Sequence, residues 1–283
     1  MKKKRIIILS MIAVALIAFV WWVIWANTAL EVTEYKIKSD KLPDAFSGFR
    51  IVQVSDLHNT EFGENNSELL KILREADPDI LVLTGDMIDS SRTDVDVVVR
   101  FAKEAVKIAP TYFVSGNHEA GVPNEYHILA EQLIEAGVKL LQNNSIALER
   151  NGETITIVGI DDPSFFGMEE EQTLPVVAEA LTNLTGEDRF EVVLAHRPQY
   201  FDVYAESDAD LVLSGHAHGG QFRLPFVGGV YVPSQGLFPK YDEGVFSENG
   251  TTMVISRGLG NSRFPIRFNN RPEIVVIELE NGD

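Results

Sequence analysis

Five short motifs in this sequence carry side chains of the types that bind metal ions. They contain five of the six histidines, together with Asp56, Asp86 and Asn117. In chain order the motifs are Asp56-Leu57-His58, Gly85-Asp86 with Asp89 three residues further on, Gly116-Asn117-His118-Glu119, His196-Arg197-Pro198, and Gly215-His216-Ala217-His218-Gly219-Gly220-Gln221. Carboxylate, amide and imidazole groups in this number are too many for one metal and about right for two. Because the chain has no cysteine, thiolate ligands, disulfides and a cysteine nucleophile are excluded.

Each motif is a weak signal by itself. A lone Gly-Asp usually marks a turn, Asn-His after a strand can cap the next helix, and a lone histidine is more often structural than a ligand. The pair of histidines at 216 and 218 is stronger, but it could serve a site with one metal. The shared position at the ends of apolar runs, and the use of nearly all the histidines, favour a common site.

Short buried strands are the elements predicted to position these side chains. The apolar runs at 50–55, 79–85, 111–116, 191–195 and 210–215 are rich in β-branched residues and bounded by turn residues. Helices are expected between them, near 65–76, 94–108, 125–136, 173–184 and 198–205, with Asn66-Ser67 and Thr93-Asp94 as N-caps. Since ligands of open α/β sheets bind beyond the carboxyl ends of the strands, the five motifs should meet at one rim.

Further β structure is predicted outside these runs. Residues 31–39 alternate apolar and polar side chains as a half-buried strand does. Asn151-Gly152 and Asn249-Gly250 are strong turn signals between β-rich stretches. This mixture favours two sheets over one parallel sheet.

Taken in order, D-x-H, G-D-x-x-D, G-N-H-E, H-R-P and G-H-x-H-G-G-Q resemble the motifs of the calcineurin-like metallophosphoesterase superfamily, from Asp56 to Gln221. The apolar N-terminus and residues 256–260 look most like its membrane-associated bacterial branch. The resemblance implies an α/β fold, an α+β sandwich in which two mixed β-sheets pack face to face and are flanked by helices in four layers. It also implies a hydrolase of phosphoesters with two divalent metal ions.

The resemblance assigns roles to eight side chains. It makes three residues ligands of the first metal and three others ligands of the second: Asp56, His58 and His218, then Asn117, His196 and His216. Asp86 corresponds to the carboxylate that bridges both metals. His118 corresponds to a residue that binds no metal and protonates the leaving group. No ligand position departs from the family pattern, so nothing indicates an inactive relative.

Physical chemistry supports such a site independently of the family. Two cations about 3.5–4 Å apart can share a hydroxide, lower its pKa and neutralise phosphate oxygens, so that the bridging hydroxide attacks phosphorus in line. His118, if protonated, can donate to the departing oxygen. The mixture of imidazole and carboxylate ligands favours Mn, Fe or Zn.

Other polar residues near the motifs have alternative interpretations. Arg197 can bind a phosphate or simply pack against its neighbours. Asp89 and Glu119 are expected to support ligands or turns rather than bind metal. The role of Arg257 stays open, and His127 is expected on the surface of a helix.

The N-terminus predicts a membrane anchor. Four basic residues at 2–5 precede an uncharged run from Ile6 to Ala26, which as a helix would span roughly 30 Å, the thickness of a bilayer core. Tryptophans near its far end suit the interface, and the positive-inside rule puts the rest of the chain outside the cytoplasm. A cleaved signal peptide is the alternative, although its apolar core is usually shorter. The predicted organisation is a cytoplasmic tip and anchor at 1–27, a connector at 28–44 and a metallophosphoesterase domain at 45–283.

Net charge limits the partners. After the basic N-terminus the chain has 20 basic against 42 acidic residues, a formal charge of −22, which excludes nucleic acid as a bulk partner. We expect a phosphomonoester, phosphodiester or pyrophosphate substrate, and the anchor favours one at the membrane, such as a lipid or an envelope component.

Other functions stay open at this stage. A pyrophosphatase acting on UDP-diacylglucosamine, as in related proteins, is one alternative, although the predicted topology puts the site outside the cytoplasm. A non-catalytic, metal-stabilised scaffold tethered to the membrane and an amidohydrolase are the competing classes. The sequence does not determine the substrate, the metals used in the cell or the oligomeric state.

Overall fold

Two β-sheets form the centre of the computed structural model, which describes residues 2–167, 170–186, 189–262 and 264–282. In spatial order, the first sheet consists of β1 (Glu31–Ser39), β16 (Glu273–Asn281), β2 (Arg50–Val54), β3 (Ile80–Thr84), β4 (Thr111–Val114) and β5 (Lys139–Leu140). The second consists of β14 (Gly244–Glu248), β15 (Thr251–Ile255), β9 (Leu211–Ser214), β8 (Glu191–Ala195), β7 (Glu153–Ile160) and β6 (Asn144–Arg150). Two short hairpins are β10 (Arg223–Leu224) with β11 (Gly228–Gly229) and β12 (Tyr231–Val232) with β13 (Gly236–Leu237).

Strand direction brings the ends that carry the motifs together. β2, β3, β4 and β5 run parallel to one another, as do β7, β8, β9 and β15. β16 is antiparallel to β2, and β6 and β14 are antiparallel to their neighbours, so both sheets are mixed. The first three motifs follow β2, β3 and β4, and the last two follow β8 and β9. The rim predicted from the sequence is therefore formed by the carboxyl ends of strands from both sheets.

Helices cover the outer face of each sheet. α2 (Ser67–Glu75), α3 (Val95–Ala105) and α5 (Pro123–Ala136) pack on the first sheet, and α6 (Glu170–Leu184) and α7 (Phe201–Ala205) on the second. α4 (Asn117–Ala120) is a single turn within the third motif. A separate apolar core fills each of the three interfaces. The four layers confirm the predicted sandwich of two mixed sheets flanked by helices.

β2 shows how the alternation of side chains builds these layers. Val52 and Val54 face the helices, whereas Ile51 lies between the two sheets. Gln53 also lies on the inner face, where its Nε2 donates to the carbonyl of Ser214 at 2.8 Å and to the hydroxyl of Thr84 at 2.9 Å. These two hydrogen bonds hold the carboxyl ends of β2, β3 and β9 side by side.

Local signals in the sequence were largely correct. The hairpins at Asn151-Gly152 and Asn249-Gly250 join β6 to β7 and β14 to β15. Asp94 caps α3 by accepting from the N–H of Val97 at 3.3 Å. Asn66 is the N-cap residue of α2 as predicted, but its side chain does not cap the helix: it accepts from the N–H of Phe62 and so closes the preceding turn.

The N-terminal segment forms one long helix, α1 (Lys2–Thr28). It is long and apolar enough to cross a membrane by length and composition, and its apolar side chains are exposed along most of the helix. The helix is followed by β1, which pairs in parallel with β16. Residues 28–44, expected as a connector, therefore include an edge strand of the first sheet.

Candidate metal centre

The loops after the strands hold several motif residues in left-handed backbone conformations. Positive φ values between 47° and 67° occur at Asp56, His58, Asp86, His216 and His218. Non-glycine residues are uncommon in this region, and such strain is concentrated at functional sites. Backbone hydrogen bonds fix the loops against each other: the N–H of Asp56 donates to the carbonyl of Gly85 at 3.0 Å, and that of His58 donates to the carbonyl of Asp86 at 3.1 Å.

One group of ligand atoms is formed by Asp56, His58 and His218. Nε2 of His218 lies 3.3 Å from Oδ1 of Asp56, and Nε2 of His58 lies 3.1 Å from Nε2 of His218. The carboxylate of Asp56 is fully buried and accepts from the N–H of His216 at 3.1 Å. These residues follow β2 and β9, so the ends of the two strands together supply two imidazoles and one carboxylate, a donor set that can bind a cation.

A second group is formed by Asp86, His196 and His216. Nδ1 of His196 lies 2.7 Å from the carbonyl of Thr84 and donates to it, which leaves Nε2, 3.1 Å from Oδ2 of Asp86, as the nitrogen that can bind a cation once it has lost its proton. Gly85 makes this approach possible: at φ 85° it lies against the ring, and an added Cβ would be 2.7 Å from Nδ1 of His196.

Asp86 lies between the two groups. Its Oδ2 is 3.9 Å from Nε2 of His58 on one side and 3.1 Å from Nε2 of His196 on the other. It also belongs to a third set of close atoms, with His58 and His118. A carboxylate in this position can contact two cations at once.

Unpartnered polar atoms show that this donor set fits metal ions. Among the described residues, Oδ1 of Asn117 is buried without a hydrogen-bond partner, and the only polar group beside the buried Nε2 of His196 is the carboxylate of Asp86. Buried polar atoms normally have a hydrogen-bond partner, and leaving them without one costs free energy. The atoms belong to residues that the sequence singled out as ligands, and all of them can donate a lone pair to a cation.

Charge in the metal-free site is concentrated on one histidine. Burial opposes the protonation of His196, but the negative charge of Asp86 outweighs this and raises the pKa of His196 to about 10. Burial lowers the pKa of His58 to about 3, and burial together with neighbouring cations holds the pKa values of His216 and His218 well below the usual range. Burial raises the pKa of Asp56 to about 6. The site therefore holds a proton where a cation could bind.

His118 lies beside both groups with its ring orientation fixed. Its ring Nδ1 accepts from the backbone N–H of Ser90 at 3.0 Å, and the backbone N–H of His118 donates to Oδ1 of Asp86 at 2.8 Å. The ring centroid is 4.5 Å from that of His58. Because Nδ1 is an acceptor here, the proton of the neutral ring is on Nε2, and Nε2 is the atom that can donate it.

The two predicted supporting carboxylates have different tasks. Glu119 is fully buried, and its Oε2 accepts from the N–H groups of Asp86 and Gly116 at 2.8 and 2.7 Å. Its Oε1 accepts from the N–H groups of the two residues after Asp86 at 2.8 and 3.1 Å. Asp89 instead closes its own turn, through Ser91 and Arg92. Glu119 thus shapes the loop that carries the shared carboxylate.

Arg197 forms one wall of a polar cavity of about 570 Å³ that also includes Asn117 and His118. Its guanidinium is held by Asp162, with Nε 2.7 Å from Oδ2, and by the hydroxyl of Ser164 at 2.7 Å. The charge of Asp162 outweighs burial and raises the pKa of Arg197. The guanidinium of Arg197 thus lines the same cavity as His118.

The remaining sequence candidates lie elsewhere. Arg257 makes ion pairs with Glu31, Glu243 and Glu273, which tie β1 and β16 to the end of β15. His127 is on the surface of α5 as expected, with 76% of its side chain exposed.

Sequence reasoning missed Arg267, which is fully buried behind the first group. Its Nη2 lies 3.2 Å from Nδ1 of His218 and donates to the carbonyl of Gly260 at 2.6 Å, while Nη1 donates to the carbonyl of Arg257 at 2.8 Å. Burial lowers its pKa to about 10. Only its position in the fold distinguishes this arginine, because the surrounding residues match none of the five motifs.

Comparisons with known proteins agree with this geometry. The family model described as calcineurin-like phosphoesterase matches residues 49–220. The uncharacterized metallophosphoesterase YkuE of Bacillus subtilis is 31% identical over 89% of this chain and 86% of its own length. The phosphodiesterase YaeI of Escherichia coli is 30% identical over 83% of this chain and 84% of its own length.

Longer relatives and solved structures extend the comparison. A transmembrane protein with metallophosphoesterase domain from Danio rerio is 28% identical over 96% of this chain and 62% of its own length. The crystal structure of TT1561 from Thermus thermophilus has a TM-score of 0.50 at 14% identity, over 75% of this chain and 91% of that one, which concerns the fold alone. From the match of the family model and of these relatives, the chain belongs to the calcineurin-like phosphoesterase family.

Proposed function

We propose that this protein is a membrane-tethered hydrolase of phosphomonoester, phosphodiester or pyrophosphate bonds that works with two divalent cations. The observation that carries the proposal is the position of Asp86 between two sets of buried nitrogen and oxygen donors. Family membership supports hydrolysis of phosphate esters. The name of the relative YaeI, a phosphodiesterase, agrees with diester cleavage.

The ligand assignment follows the two groups and adds Asn117, whose buried Oδ1 has no hydrogen-bond partner among the described residues. Asp56, His58 and His218 hold one cation, while Asn117, His196 and His216 hold the other, with Asp86 shared. Manganese, iron or zinc suits this mixture of imidazole, carboxylate and amide donors. When bound, two such cations supply an activated water and neutralise charge on the phosphate oxygens.

In its imidazolium form, His118 donates a proton from Nε2 to the departing oxygen and returns to the neutral ring, whose Nδ1 accepts from the N–H of Ser90. The hydrogen bond from its backbone N–H to Asp86 keeps the ring beside the reacting bond. Arg197, held by Asp162, offers a fixed positive charge to phosphate oxygens in the polar cavity. Glu119 keeps the loop of Asp86 in place, whereas Asp89 acts only on its own turn.

The same proposal includes an anchor and a topology. α1 spans the membrane with residues 2–5 in the cytoplasm, which puts the domain outside the cytoplasm. Relatives named as transmembrane proteins with metallophosphoesterase domains agree with an anchor. The organisation is 1–27 as tip and anchor, 28–44 as a connector that includes β1, and 45–283 as the phosphoesterase domain.

Metal-dependent turnover tests the proposal. The full chain in detergent, stripped with a chelator and reloaded with Mn, Zn or Fe, should bind about two ions and hydrolyse p-nitrophenyl phosphate or bis(p-nitrophenyl) phosphate. Asp86→Asn should lose metal and at least about a hundredfold in turnover. Asp96→Asn, at an exposed position of α3, is the matched control and should behave as the unaltered protein. Two bound ions with no turnover of any phosphoester would favour the scaffold, and turnover of amides would favour an amidohydrolase.

A further inference from the structure

Exposed apolar side chains are concentrated in two loops beside the site. Apart from α1, most of the large exposed apolar residues in the described ranges lie within residues 222–240 and 261–271. We call this set the apolar rim, and its members are Leu224, Phe226, Val227, Leu237, Phe238, Phe264, Ile266 and Phe268. Exposed apolar side chains concentrated in this way usually mark an interaction surface.

The apolar rim adjoins the last turns of α1. The ring of Phe268 lies edge-on to that of Trp22 at 5.1 Å, and its carbonyl accepts from the N–H of Arg223, at the base of the β10–β11 hairpin, at 3.0 Å. Oδ1 of Asn27 accepts from the N–H of Arg267 at 2.8 Å. Both loops are therefore attached to the end of the helix that the topology puts at the outer membrane surface.

Two members of the rim are held outward under backbone strain. Phe226 has φ 67° at the tip between β10 and β11 and is fully exposed, and Phe238 has φ 55° just after β13. Bulky residues rarely adopt this conformation. Strain that holds two phenylalanine rings in an exposed position indicates a function for them.

Charge in these loops differs from that in the rest of the molecule. Residues 216–241 and 258–272 contain no acidic residue, although the chain has 42 in all. An anionic bilayer surface would repel most of this domain but not this part of it. Charge and apolarity thus select the same side of the molecule.

A cavity connects the rim to the proposed metal ligands. It measures about 230 Å³ and is lined by Ala217, His218, Gln221, Tyr231, Pro233, Ser262 and Phe264. Nε2 of Gln221 donates to the carbonyls of Phe264 and Ile266, at 3.1 and 2.9 Å, and so holds the second loop over it. Ser262 also lines the polar cavity with His118 and Arg197. A phosphate in the polar cavity would therefore have an apolar cavity next to it that ends at Phe264 of the rim.

From these contacts we infer that the apolar rim rests in the outer leaflet of the membrane beside the anchor, and that the substrate is a lipid phosphoester. Its phosphate binds in the polar cavity, and its acyl part runs along the cavity lined by Tyr231 and Phe264 to the bilayer. The substrate half of this inference rests on the proposed phosphoesterase function. The docking half rests on the rim and on its attachment to α1.

Depth of insertion tests the docking surface. Because the chain has no cysteine, Phe226→Cys in the full chain can carry a single environment-sensitive label. In vesicles of phosphatidylethanolamine and phosphatidylglycerol, 3:1 by choice, nitroxide-bearing lipids should quench this label. Ile134→Cys is the matched control, since Ile134 is an exposed apolar residue on α5, and its label should stay unquenched. Equal quenching at both positions, or none at 226, overturns the docking surface.

Paired substrates test the lipid assignment. The probes are phosphatidic acid against glycerol 3-phosphate, and phosphatidylglycerol against glycerophosphoglycerol, which differ only in their acyl chains. We expect kcat/KM at least about tenfold higher for the acylated member of the pair that is hydrolysed. Phe226→Asn with Phe238→Asn, chosen because asparagine tolerates positive φ, should lower the ratio of vesicle to soluble turnover by about tenfold.

The outcomes separate the two proposals. Equal turnover of acylated and deacylated esters, or an unchanged ratio in the double variant, overturns the lipid assignment. If no ester of any kind is hydrolysed, the proposed function itself fails and the lipid assignment fails with it. The quenching result then still decides whether the rim contacts the bilayer.

Discussion

Glu119 offers the sharpest test of how the site is supported, through the substitution Glu119→Gln. Two carboxylate oxygens accept from four backbone N–H groups in the loops that carry Asp86 and Asn117. An amide has one oxygen, so two N–H groups would face an NH₂ group instead. Losing two hydrogen bonds to the neutral carboxyl, which is the form present at pH 5, costs about 1–3 kcal/mol.

A second effect acts in the opposite direction. Burial and the negative charge of Asp86 raise the pKa of Glu119 to about 7 in the metal-free protein. The stability that this carboxyl contributes is thus present below its unfolded pKa and is lost as pH rises through 7. Glutamine does not titrate, so at pH 8 the substitution returns up to about 3 kcal/mol. We expect a net loss of about 1–3 kcal/mol at pH 5, where the carboxyl is neutral, and no net loss at pH 8, where the two effects are of similar size.

Urea unfolding followed by circular dichroism, on metal-free full chain at both pH values, measures this loss. Tryptophan fluorescence is unsuitable because all three tryptophans lie in α1. Metal affinity at pH 8 should fall by about 10–100-fold as the loop of Asp86 shifts. Glu125→Gln, at an exposed position of α5, is the control. Unfolding free energies within ~0.5 kcal/mol of that control, with metal affinity unchanged, would refute the role given to Glu119.

Three further expectations follow from particular contacts. His118→Ala should keep both metals but lower turnover by about 10²–10⁴-fold, with the smallest loss for p-nitrophenyl esters; equal losses for p-nitrophenyl and alkyl esters would contradict proton donation. Arg267→Met should leave Nδ1 of His218 without its neighbouring guanidinium and two backbone carbonyls without donors. We expect it to destabilise the fold by about 3 kcal/mol and to weaken metal binding; an unchanged melting temperature and an unchanged metal content would disprove this. Burial raises the pKa of Glu191 to about 7, so Glu191→Gln should stabilise the protein at pH 8 by about 1 kcal/mol and leave it unchanged near pH 4, as thermal unfolding at the two pH values would show.

Much of the site could be predicted from the sequence because the ligands follow the strands that hold them. A run such as 79–85 predicts a strand from its own composition, and Asp86 directly after it must lie at the strand's carboxyl end. The same holds for His58, Asn117 and His216. Their approach to each other required only that the strands pack side by side.

Other features depended on contacts between distant parts of the chain. The half-buried strand predicted at 31–39 is β1, but its place at the edge of the first sheet depends on its pairing with β16, more than 230 residues later. Asn66 has the residue type of a helix cap, but its side chain was nearer to the N–H of Phe62.

The sequence by itself determined the family, the two-sheet sandwich and the residues that can bind metal, since these depend on local composition and on order along the chain. Only the tertiary structure decided which partners those residues meet: Asp162 for Arg197, four N–H groups for Glu119, and Arg267 behind His218. It also decided that the apolar loops lie against α1 and open towards the metal ligands. The physical reason is that hydrogen bonds and burial depend on distance in space, and residues such as Asn27 and Arg267 become neighbours only after the sheets have packed.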